Sequence, residues 1–477
     1  MPSLLNRTKV VATIGPATNT PERLADLIDS GVSVCRLNFS HGTLDDHSQA
    51  LRAIRTVSES LKRPVAVLGD LCGPKIRLNA VAGGHIQLQP GQAVRFARGE
   101  AECSGSVLTT NYASLVDEVQ AGDRILIDDG LVRLLVTDSR ENELICACTV
   151  GGVISSRKGV NLPDSNIAVA ALTEKDRRDA RWAIESGLDY LALSFVRRPE
   201  DVAELRALLG KSTQTGVVVK IEKREALDHL DALIADADGV MVARGDLGVE
   251  MDVWRVPLVQ KDITLRARVA GVPVIIATQM LQSMITNATP TRAEVSDIAN
   301  AILDGADAIM LSAETASGAY PSLAVDMMDK VARVTEDYLR IHPPEPHAPV
   351  VSAVSPMTSA IAHAAVQAAR DINARLVAVW SATGATVRMV AQHRLSIPVV
   401  GLTTDERVYR KMALWYGVTP IRVDPIGNPA EMTKLLERRI LQLGFARPGD
   451  LIVVVTSTRP TTPGATDTTL VHRIGAM

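Results

Sequence analysis

The feature that most constrains the fold of this chain is a series of eight short apolar runs, each closed by a polar or charged residue. The runs are Lys9–Gly15, Ser33–Ser40, Val65–Leu71, Tyr190–Val196, Val217–Glu222, Gly239–Arg244, Pro273–Thr278 and Ala308–Ser312. Continuous apolar runs separated by helical patterns are typical of parallel strands buried on both faces. Eight such units predict an α/β fold of the closed (β/α)8, or TIM, barrel type. Active sites of this fold lie at the carboxyl ends of the strands, so we expect an enzyme.

A second, β-rich unit is predicted within the barrel. The 477 residues exceed the ~250 of one barrel. The strand–helix alternation stops after Asp70 and resumes at Thr173, where Thr173 and Asp176 predict the start of a helix. Short β-like segments and glycine-rich turns fill the gap. They predict a small β-barrel lid domain at residues 72–162, inserted above the active site of a barrel made of residues 1–71 and 163–342.

A third unit follows a proline-rich stretch, His342–Pro349, which predicts a stiff linker. Beyond it, helical and strand-like patterns alternate again, and the last of the strands is Leu451–Val455. This pattern predicts an independent α/β regulatory domain at residues 350–477.

Composition and charge narrow the class of partner. A net charge of −3 gives no reason to expect nucleic acid or an anionic membrane. No apolar run approaches the ~20 residues that span a bilayer, and no signal-peptide pattern opens the chain. The five cysteines are odd in number and lie mostly in strand-like sequence, which favours free thiols. We therefore expect a cytoplasmic protein.

The strongest chemical signal lies in two consecutive strands. Lys220 and Glu222 are two residues apart on one strand and so point the same way. The next strand ends in Arg244-Gly245-Asp246, and strands lie about 4.8 Å apart, so Glu222 and Asp246 could share a hard cation such as Mg²⁺ or Mn²⁺. A lysine beside that ion could stabilise a transferring phosphoryl group. A buried Lys–Glu ion pair is the alternative.

The second strand carries further polar residues on one face. Arg36, Asn38 and Ser40 alternate along it, and Asp70 closes the third strand. Arginine is well suited to grip phosphate, and Asn and Ser offer oxygens or donors. The alternative is a solvated strand end. No Walker A pattern occurs, so a nucleotide would be held without a P-loop.

Several stretches together resemble the pyruvate kinase family. They are Arg36–Gly42 (RLNFSHG), Gly73–Arg77 (GPKIR), Lys158–Pro163 (KGVNLP), Lys220–Glu222 (KIE), Met241–Glu250 (MVARGDLGVE), Ala277–Met284 (ATQMLQSM) and Leu311–Thr315 (LSAET). The resemblance implies phosphoryl transfer from phosphoenolpyruvate to ADP, giving pyruvate and ATP.

By position, the resemblance also implies residue roles. It implies that Lys220, Thr278 and Arg36 are the catalytic residues. Glu222 and Asp246 would bind the divalent ion. Substrate would be bound by Arg36, Lys220, Gly245, Asp246 and Thr278. The residues facing the nucleotide would be Asn38, Ser40, His41, Arg77 and Lys158.

One departure concerns potassium. Many family members hold this ion at the positions of Asn38, Ser40, Asp70 and Leu71, with threonine in place of Leu71 and glutamate in place of Lys75. Here a ligand hydroxyl is missing and an ammonium has appeared in the same loop. We infer that Lys75 supplies the positive charge and that potassium is not required. A solvent-facing lysine is the alternative.

The family's phosphorylated effectors bind a loop that here contains Ser381, Thr383, Gly384 and Thr386, which an ordinary strand–helix turn would also explain. Ser457–Pro463 replaces the glycine-rich stretch often seen near the family's C-terminus, so no effector contact is assigned there. A homotetramer is expected from the resemblance. Two rival functions remain: a metal-dependent pyruvate or phosphoenolpyruvate lyase or aldolase, and a non-catalytic metabolite sensor. The first would lack the inserted β domain, and the second would be expected to lose Lys220 or a metal carboxylate.

Overall fold

The structure, a computed structural model, describes residues 6–99, 101–210, 213–343, 356–425, 429–458 and 466–475. Its first part alternates strands and helices: β1 (Lys9–Thr13), α1 (Pro21–Ser30), β2 (Val32–Asn38), α2 (Leu44–Leu61) and β3 (Ala66–Asp70). Thr20 and Thr43 precede the two helices, and each side chain accepts a backbone N–H of the first turn. These caps explain where the helices begin.

An inserted β unit follows β3. Its elements are β4 (His85–Leu88), β5 (Ala93–Ala97), β6 (Val107–Leu108), α3 (Leu115–Glu118), β7 (Arg124–Ile127), β8 (Val132–Ser139), β9 (Glu143–Val150), β10 (Gly152–Ser155) and β11 (Val160–Asn161). A six-stranded sheet has the order β11-β7-β8-β9-β5-β6, and β10 pairs with β4. Their apolar side chains form a hydrophobic cluster of their own. The predicted β insertion is therefore present.

The strand–helix alternation then resumes. Its elements are α4 (Glu174–Glu185), β12 (Tyr190–Leu193), α5 (Pro199–Leu209), β13 (Gly216–Ile221), α6 (Glu225–Asp228), α7 (Leu230–Ala235), β14 (Gly239–Ala243), α8 (Arg244–Glu250), α9 (Val256–Val269), β15 (Val274–Ala277), α10 (Arg292–Asp304), β16 (Ala308–Leu311), α11 (Ala313–Ala316) and α12 (Pro321–Ile341). Short 3₁₀ helices lie at Val253–Arg255 and Gln282–Ile285. The start of α4 at the Thr173 cap is as predicted.

Eight parallel strands close the barrel in the order β1-β16-β15-β14-β13-β12-β3-β2. Each of them comes from one of the eight apolar runs, so the predicted (β/α)8 barrel is confirmed. Along β13, Val217 and Val219 pack outward against the helices, whereas Val218 faces the barrel interior. Burial on both faces is the physical reason for the uninterrupted apolar pattern.

The C-terminal unit is a five-stranded sheet with helices. Its elements are α13 (Pro356–Asp371), β17 (Val377–Trp380), α14 (Ala385–Gln392), β18 (Val399–Thr403), α15 (Glu406–Lys411), β19 (Val418–Arg422), α16 (Pro429–Gln442), β20 (Leu451–Thr456) and β21 (Thr468–Arg473). The strand order is β19-β18-β17-β20-β21, and β21 is antiparallel to β20. The α/β architecture was predicted, but β21 was not. Most of the predicted linker and of Ser457–Pro463 lies outside the described residues.

The C-terminal unit packs on the amino-terminal end of the barrel. One hydrophobic cluster runs from the barrel interior, including Tyr190, to Met412 and Trp415 of the C-terminal unit. Tyr190 Oη donates to the Lys411 carbonyl at 2.9 Å, and Lys9 Nζ donates to the Val418 carbonyl at 2.8 Å. The predicted independent domain thus shares part of its core with the barrel. The carboxyl ends of the strands remain free at the opposite end.

Within the described ranges, no helix is long and apolar enough to cross a membrane. All five cysteines are free thiols, four of them buried.

Candidate active site

Lys220 lies near the carboxyl end of β13, where its ammonium contacts three side chains. Nζ lies 2.6 Å from Ser194 Oγ, 3.3 Å from Asp70 Oδ1 and 3.3 Å from Glu222 Oε2. The order β3-β12-β13 explains the contacts, because Asp70 ends β3, Ser194 follows β12 and Glu222 follows β13. The structure therefore brings Lys220 and Glu222 together at the mouth of the barrel.

Asp246 belongs to the same cluster. It lies in the first turn of α8, directly after β14, the neighbour of β13. Burial lowers the pKa of Lys220, but the carboxylates of Asp70, Glu222 and Asp246 outweigh it, so the pKa is raised overall. The pKa of Glu222 is raised to about 7, by burial and by Asp246, against the lowering effect of Lys220. The Glu222 carboxylate thus lacks part of the positive charge needed to balance it.

Glu222 and Asp246 could together hold a divalent cation. No set of three or more His, Cys, Asp or Glu side chains is arranged as metal ligands in the part of the chain that the structure describes. Two carboxylates with open positions suit Mg²⁺, which keeps water and substrate oxygens in its shell. The raised pKa of Glu222 marks a carboxylate that such an ion would stabilise.

Arg36, on β2, lies on the other side of Asp70. Its Nε and Nη2 lie 2.7 Å and 2.6 Å from Asp70 Oδ2, and Nη1 donates to Thr13 Oγ1 at 3.0 Å. Burial would raise the pKa of Asp70, but Lys220 and Arg36 together lower it. Asp70 is therefore an anion held between the two cations predicted to act on phosphate.

Thr278 forms a strained turn after β15. Its φ is +71° and that of Gln279 is +56°, values that non-glycine residues rarely adopt. Thr278 Oγ1 accepts a hydrogen bond from the Gly245 amide at 2.8 Å. A Cβ at residue 245 would lie 3.3 Å from that oxygen, which favours glycine. Arg244 secures the turn by donating to the Thr278 carbonyl at 2.9 Å. Such strain is common in active sites.

A cavity of about 740 Å³ opens beside Arg36, between the ends of β1, β2 and β16. Asn38 and His41, two of the residues predicted to face a nucleotide, line it, whereas Ser40 does not. The Ser40 amide donates to Asn38 Oδ1 at 3.1 Å, which orders the start of this loop.

Arg77 and Lys158 lie elsewhere, on the two chain segments that connect the insertion to the barrel. Arg77 Nη1 donates to the Arg157 carbonyl at 3.0 Å, and Lys158 Nζ lies 2.8 Å from Asp128. Neither residue lines the cavity formed by Asn38 and His41. The structure thus does not bring all five predicted nucleotide residues together.

Oxygens at the monovalent-cation position are already engaged by neighbouring residues. Asp70 contacts Arg36 and Lys220, and the buried Leu71 offers only its carbonyl, which accepts from Ser194 Oγ at 2.7 Å. Lys75 is exposed and lines a narrow cleft with Asp246. Its ammonium makes no ion pair with the described residues. Its role in place of potassium stays a prediction.

In the predicted effector loop, Ser381 Oγ accepts from the Gly384 amide at 2.9 Å, and Thr383 is exposed. Thr386 is different, because it is buried and its hydroxyl lies 2.8 Å from Thr466 Oγ1. Its hydroxyl is therefore engaged inside the C-terminal unit and not presented on the loop with the other two.

Sequence reasoning missed Ser194 and Thr13, which position Lys220 and Arg36. It also missed Phe195, whose φ is +57° and whose amide donates to Glu222 Oε1 at 2.6 Å. Thr13 ends the observed β1 and Ser194 directly follows β12, so both lie inside the longer predicted runs Lys9–Gly15 and Tyr190–Val196. A polar residue within an apolar run was the available signal.

A closed parallel barrel with lysine, arginine and carboxylates at one mouth defines a (β/α)8 enzyme suited to anionic, phosphate-bearing substrates. Family models described as pyruvate kinase, barrel domain, and pyruvate kinase, alpha/beta domain, match residues 5–325 and 359–472. The chain belongs to the pyruvate kinase family and is a phosphotransferase.

Full-length similarity supports this placement. The chain is 40% identical to the pyruvate kinase of Mycobacterium intracellulare, covering 98% of both chains, and 40% identical to that of Mycobacterium tuberculosis, covering 99% of both. A crystal structure of a pyruvate kinase from Cryptosporidium parvum superposes with a TM-score of 0.90 at 32% identity. The match covers 98% of this chain and 96% of that one.

Proposed function

We propose that this chain transfers the phosphoryl group of phosphoenolpyruvate to ADP, giving ATP and an enolate that is protonated to pyruvate. The observation that carries the proposal is the convergence of Lys220 and Glu222 at 3.3 Å, with Asp246 acting electrostatically on both. The two carboxylates would hold Mg²⁺ or Mn²⁺, which when bound supplies positive charge to the phosphate and carboxylate oxygens of the substrate.

The other residues of the site would bind the substrate and stabilise the transferring phosphoryl group. Lys220 stays protonated because three carboxylates raise its pKa, so its ammonium is available to the phosphoryl group in flight. Arg36 would turn one edge from Asp70 to the substrate phosphate. The amides of Gly245 and Asp246, with Thr278, would receive the substrate carboxylate once the Gly245 amide releases Thr278 Oγ1. A unit charge about 5 Å away at an effective dielectric of about 20 contributes about 3 kcal/mol, so losing Lys220 should lower the rate by roughly two decades.

The nucleotide would occupy the cavity lined by Asn38 and His41, next to Ser40 in the same loop. We propose that Arg77 and Lys158 reach it when the inserted unit closes over the barrel, because both lie at its base. Closure would also exclude water from the transferring phosphoryl group.

The test is a coupled assay for pyruvate with and without ADP. We expect pyruvate only when ADP is present, with ATP formed in equal amount. Lys220→Met should reduce the rate at least about a hundredfold, whereas the matched exposed variant Lys330→Met should not change it. Pyruvate formed without ADP would instead support the lyase or aldolase function.

We further propose that potassium is not required. Lys75 lines the cleft with Asp246, so its charge would lie close to the bound substrate. Activity should be nearly the same in potassium-free buffer, and Lys75→Glu should lower it. Strong potassium activation of the unmodified protein would contradict the proposal.

The wider organisation is also proposed from the family. We expect a cytoplasmic homotetramer with a phosphorylated effector bound near Ser381, Thr383 and Gly384. The barrel would comprise residues 1–71 and 163–342, the lid residues 72–162 and the regulatory unit residues 350–477. Light scattering, and initial rates with a panel of phosphorylated metabolites, test the assembly and the effector.

A further inference from the structure

A cavity of about 260 Å³ lies at the junction of the barrel and the C-terminal unit, at the opposite end of the barrel from the active site. Arginines dominate its charged lining, three from the barrel side and two from the C-terminal unit, and no acidic residue lines it. The five arginines are Arg7, Arg268, Arg340, Arg370 and Arg394.

Two of these arginines form ion pairs with carboxylates that do not line the cavity. Arg7 Nε lies 3.4 Å from Glu336, and Arg394 Nη2 lies 3.2 Å from the fully buried Asp307. Arg340 has only the exposed Asp337, at 3.6 Å. The two remaining arginines, one at the end of α9 and one at the end of α13, form no ion pair with the described residues. The cavity therefore holds an excess of positive charge.

Two guanidinium groups also bury a donor without an acceptor. Nε of Arg268 and Nε of Arg394 are both inaccessible to solvent, and neither finds a hydrogen-bond partner among the described residues. Burying an unsatisfied donor destabilises a protein. Burial and the neighbouring Arg394 lower the pKa of Arg268 to about 10. An anion in this cavity would relieve the charge repulsion. It would reach the two buried Nε atoms only if the arginine side chains moved.

Helix dipoles explain only part of this arrangement. Arg268, Arg340 and Arg370 lie in the last turns of their helices, where a cation is favoured by the helix dipole. That effect does not require five arginines from both units to meet around one cavity. The helix dipole also does not explain why two buried N–H groups lack acceptors.

We propose that this cavity binds a small phosphate ester that bridges the barrel and the C-terminal unit. Guanidinium groups pair with phosphate through two parallel hydrogen bonds, and several can share one phosphate. Leu303, Leu339 and Leu395 line the cavity beside the arginines and would pack against the carbon skeleton of the ester. The site is separate from both the catalytic cluster and the Ser381–Thr386 loop.

The test measures binding of ribose 5-phosphate to the full-length protein by calorimetry, with neutral ribose as the ligand control. We expect ribose 5-phosphate to bind and ribose not to bind. Arg268→Gln and Arg370→Gln should each weaken binding by about tenfold or more, because each removes a charge-assisted hydrogen bond. Arg266→Gln is the matched control on α9, since that side chain is exposed and already paired with Asp231 and Asp262.

The proposal is overturned if ribose 5-phosphate fails to bind, or if its affinity is the same in Arg268→Gln and Arg370→Gln as in the unmodified protein. Arg370 is exposed, so its variant should fold even if the half-buried Arg268 does not tolerate substitution. Binding is read without catalysis. The result therefore stands whether or not the enzyme proves to make pyruvate.

Discussion

At the scale of single residues, Glu222 carries a poorly compensated charge in the catalytic cluster. Its pKa is about 7 in the folded protein against an ordinary 4.5, because it is buried and Asp246 lies near. Without metal, the stability that Glu222 contributes is present below about pH 4.5 and is lost as the pH rises through 7. A divalent ion reverses this, because it binds the ionised form.

Mg²⁺ should therefore raise the melting temperature more at pH 8 than at pH 6. At a concentration 100 times its dissociation constant the gain is about 2.7 kcal/mol. Glu222→Gln should remove most of this gain, and without metal at pH 8 it should be at least as stable as the unmodified protein. The exposed variant Glu141→Gln serves as the control. Equal Mg²⁺ stabilisation of Glu222→Gln and the unmodified protein would contradict the assignment of this carboxylate to the ion.

Ser194 is a positioning residue at the same scale. Its hydroxyl accepts from Lys220 at 2.6 Å and donates to the Leu71 carbonyl at 2.7 Å, so it fixes the ammonium relative to β3. Ser194→Ala should lower kcat about tenfold, the effect of about 1.4 kcal/mol, with a smaller change in KM. Ser60→Ala, on the surface of α2, is the matched control. A change confined to KM would indicate that Ser194 serves substrate binding instead.

At the scale of elements, the start of α4 is tied to the segment that leads from β3 into the inserted unit. Thr173 and Asp176 form a capping box, and Asp176 Oδ1 also accepts from the Gly73 amide at 3.1 Å. Gly73 has a φ of +66°, and a Cβ there would lie 2.5 Å from Phe195. The conformation of this segment thus depends on a glycine and on a carboxylate 103 residues away.

Thr173→Ala should cost about 1 kcal/mol of stability, because it removes only the cap. Asp176→Ala should cost roughly 2–4 kcal/mol, because it also leaves the buried Gly73 amide without its acceptor. Asp176→Asn retains an acceptor oxygen and is the control. Urea unfolding measures all three. Equal losses in Thr173→Ala and Asp176→Ala would show that the bond to Gly73 contributes nothing.

The elements that sequence reasoning found, and those it missed, differ in burial. The eight barrel strands were predictable because both of their faces are buried. The ends of the strands were predicted less accurately. Phe195 and Val196 were assigned to a strand, but the positive φ of Phe195 ends that strand. Glu222 accepts a hydrogen bond from the Phe195 amide. The strand β21 was missed because most of its side chains are half-buried or exposed, and it carries little apolar pattern. Ser194 was missed because its partners come from other strands.

At the scale of the whole molecule, what could not be predicted is how the C-terminal unit meets the barrel. The α/β pattern suggested an independent domain, yet Tyr190 in the barrel and Trp415 belong to one hydrophobic cluster. Nothing in the periodicity of a strand distinguishes an interior residue that packs on its own barrel from one that packs on another unit. The buried charges at the junction are likewise invisible in sequence, because their partners are up to several hundred residues apart.

Asp189 shows how strongly the two units are coupled. This fully buried carboxylate accepts from Arg55 at 2.8 Å within the barrel and from Arg410 of α15, also at 2.8 Å. Arg410→Ala would leave one carboxylate oxygen at the junction without its cation and should cost about 2–3 kcal/mol. Because α15 would then lose its anchor, hydrogen exchange should rise at α15 and at the start of β12 in the same variant.

Arg422→Ala is the matched control, since its ion pair with Glu406 is exposed and should contribute far less. The comparison separates a junction held by buried charge from one held only by apolar contact. If the two variants unfold at the same temperature and exchange alike, the shared hydrophobic cluster alone holds the C-terminal unit. If hydrogen exchange at α15 rises only in Arg410→Ala, buried ion pairs help to hold the junction together. A ligand that bridges the arginine-lined cavity would then bind at a junction that ion pairs already stabilise. Such a ligand would lie next to the amino-terminal ends of β1 and β16, because Arg7 and Gly305 line the cavity.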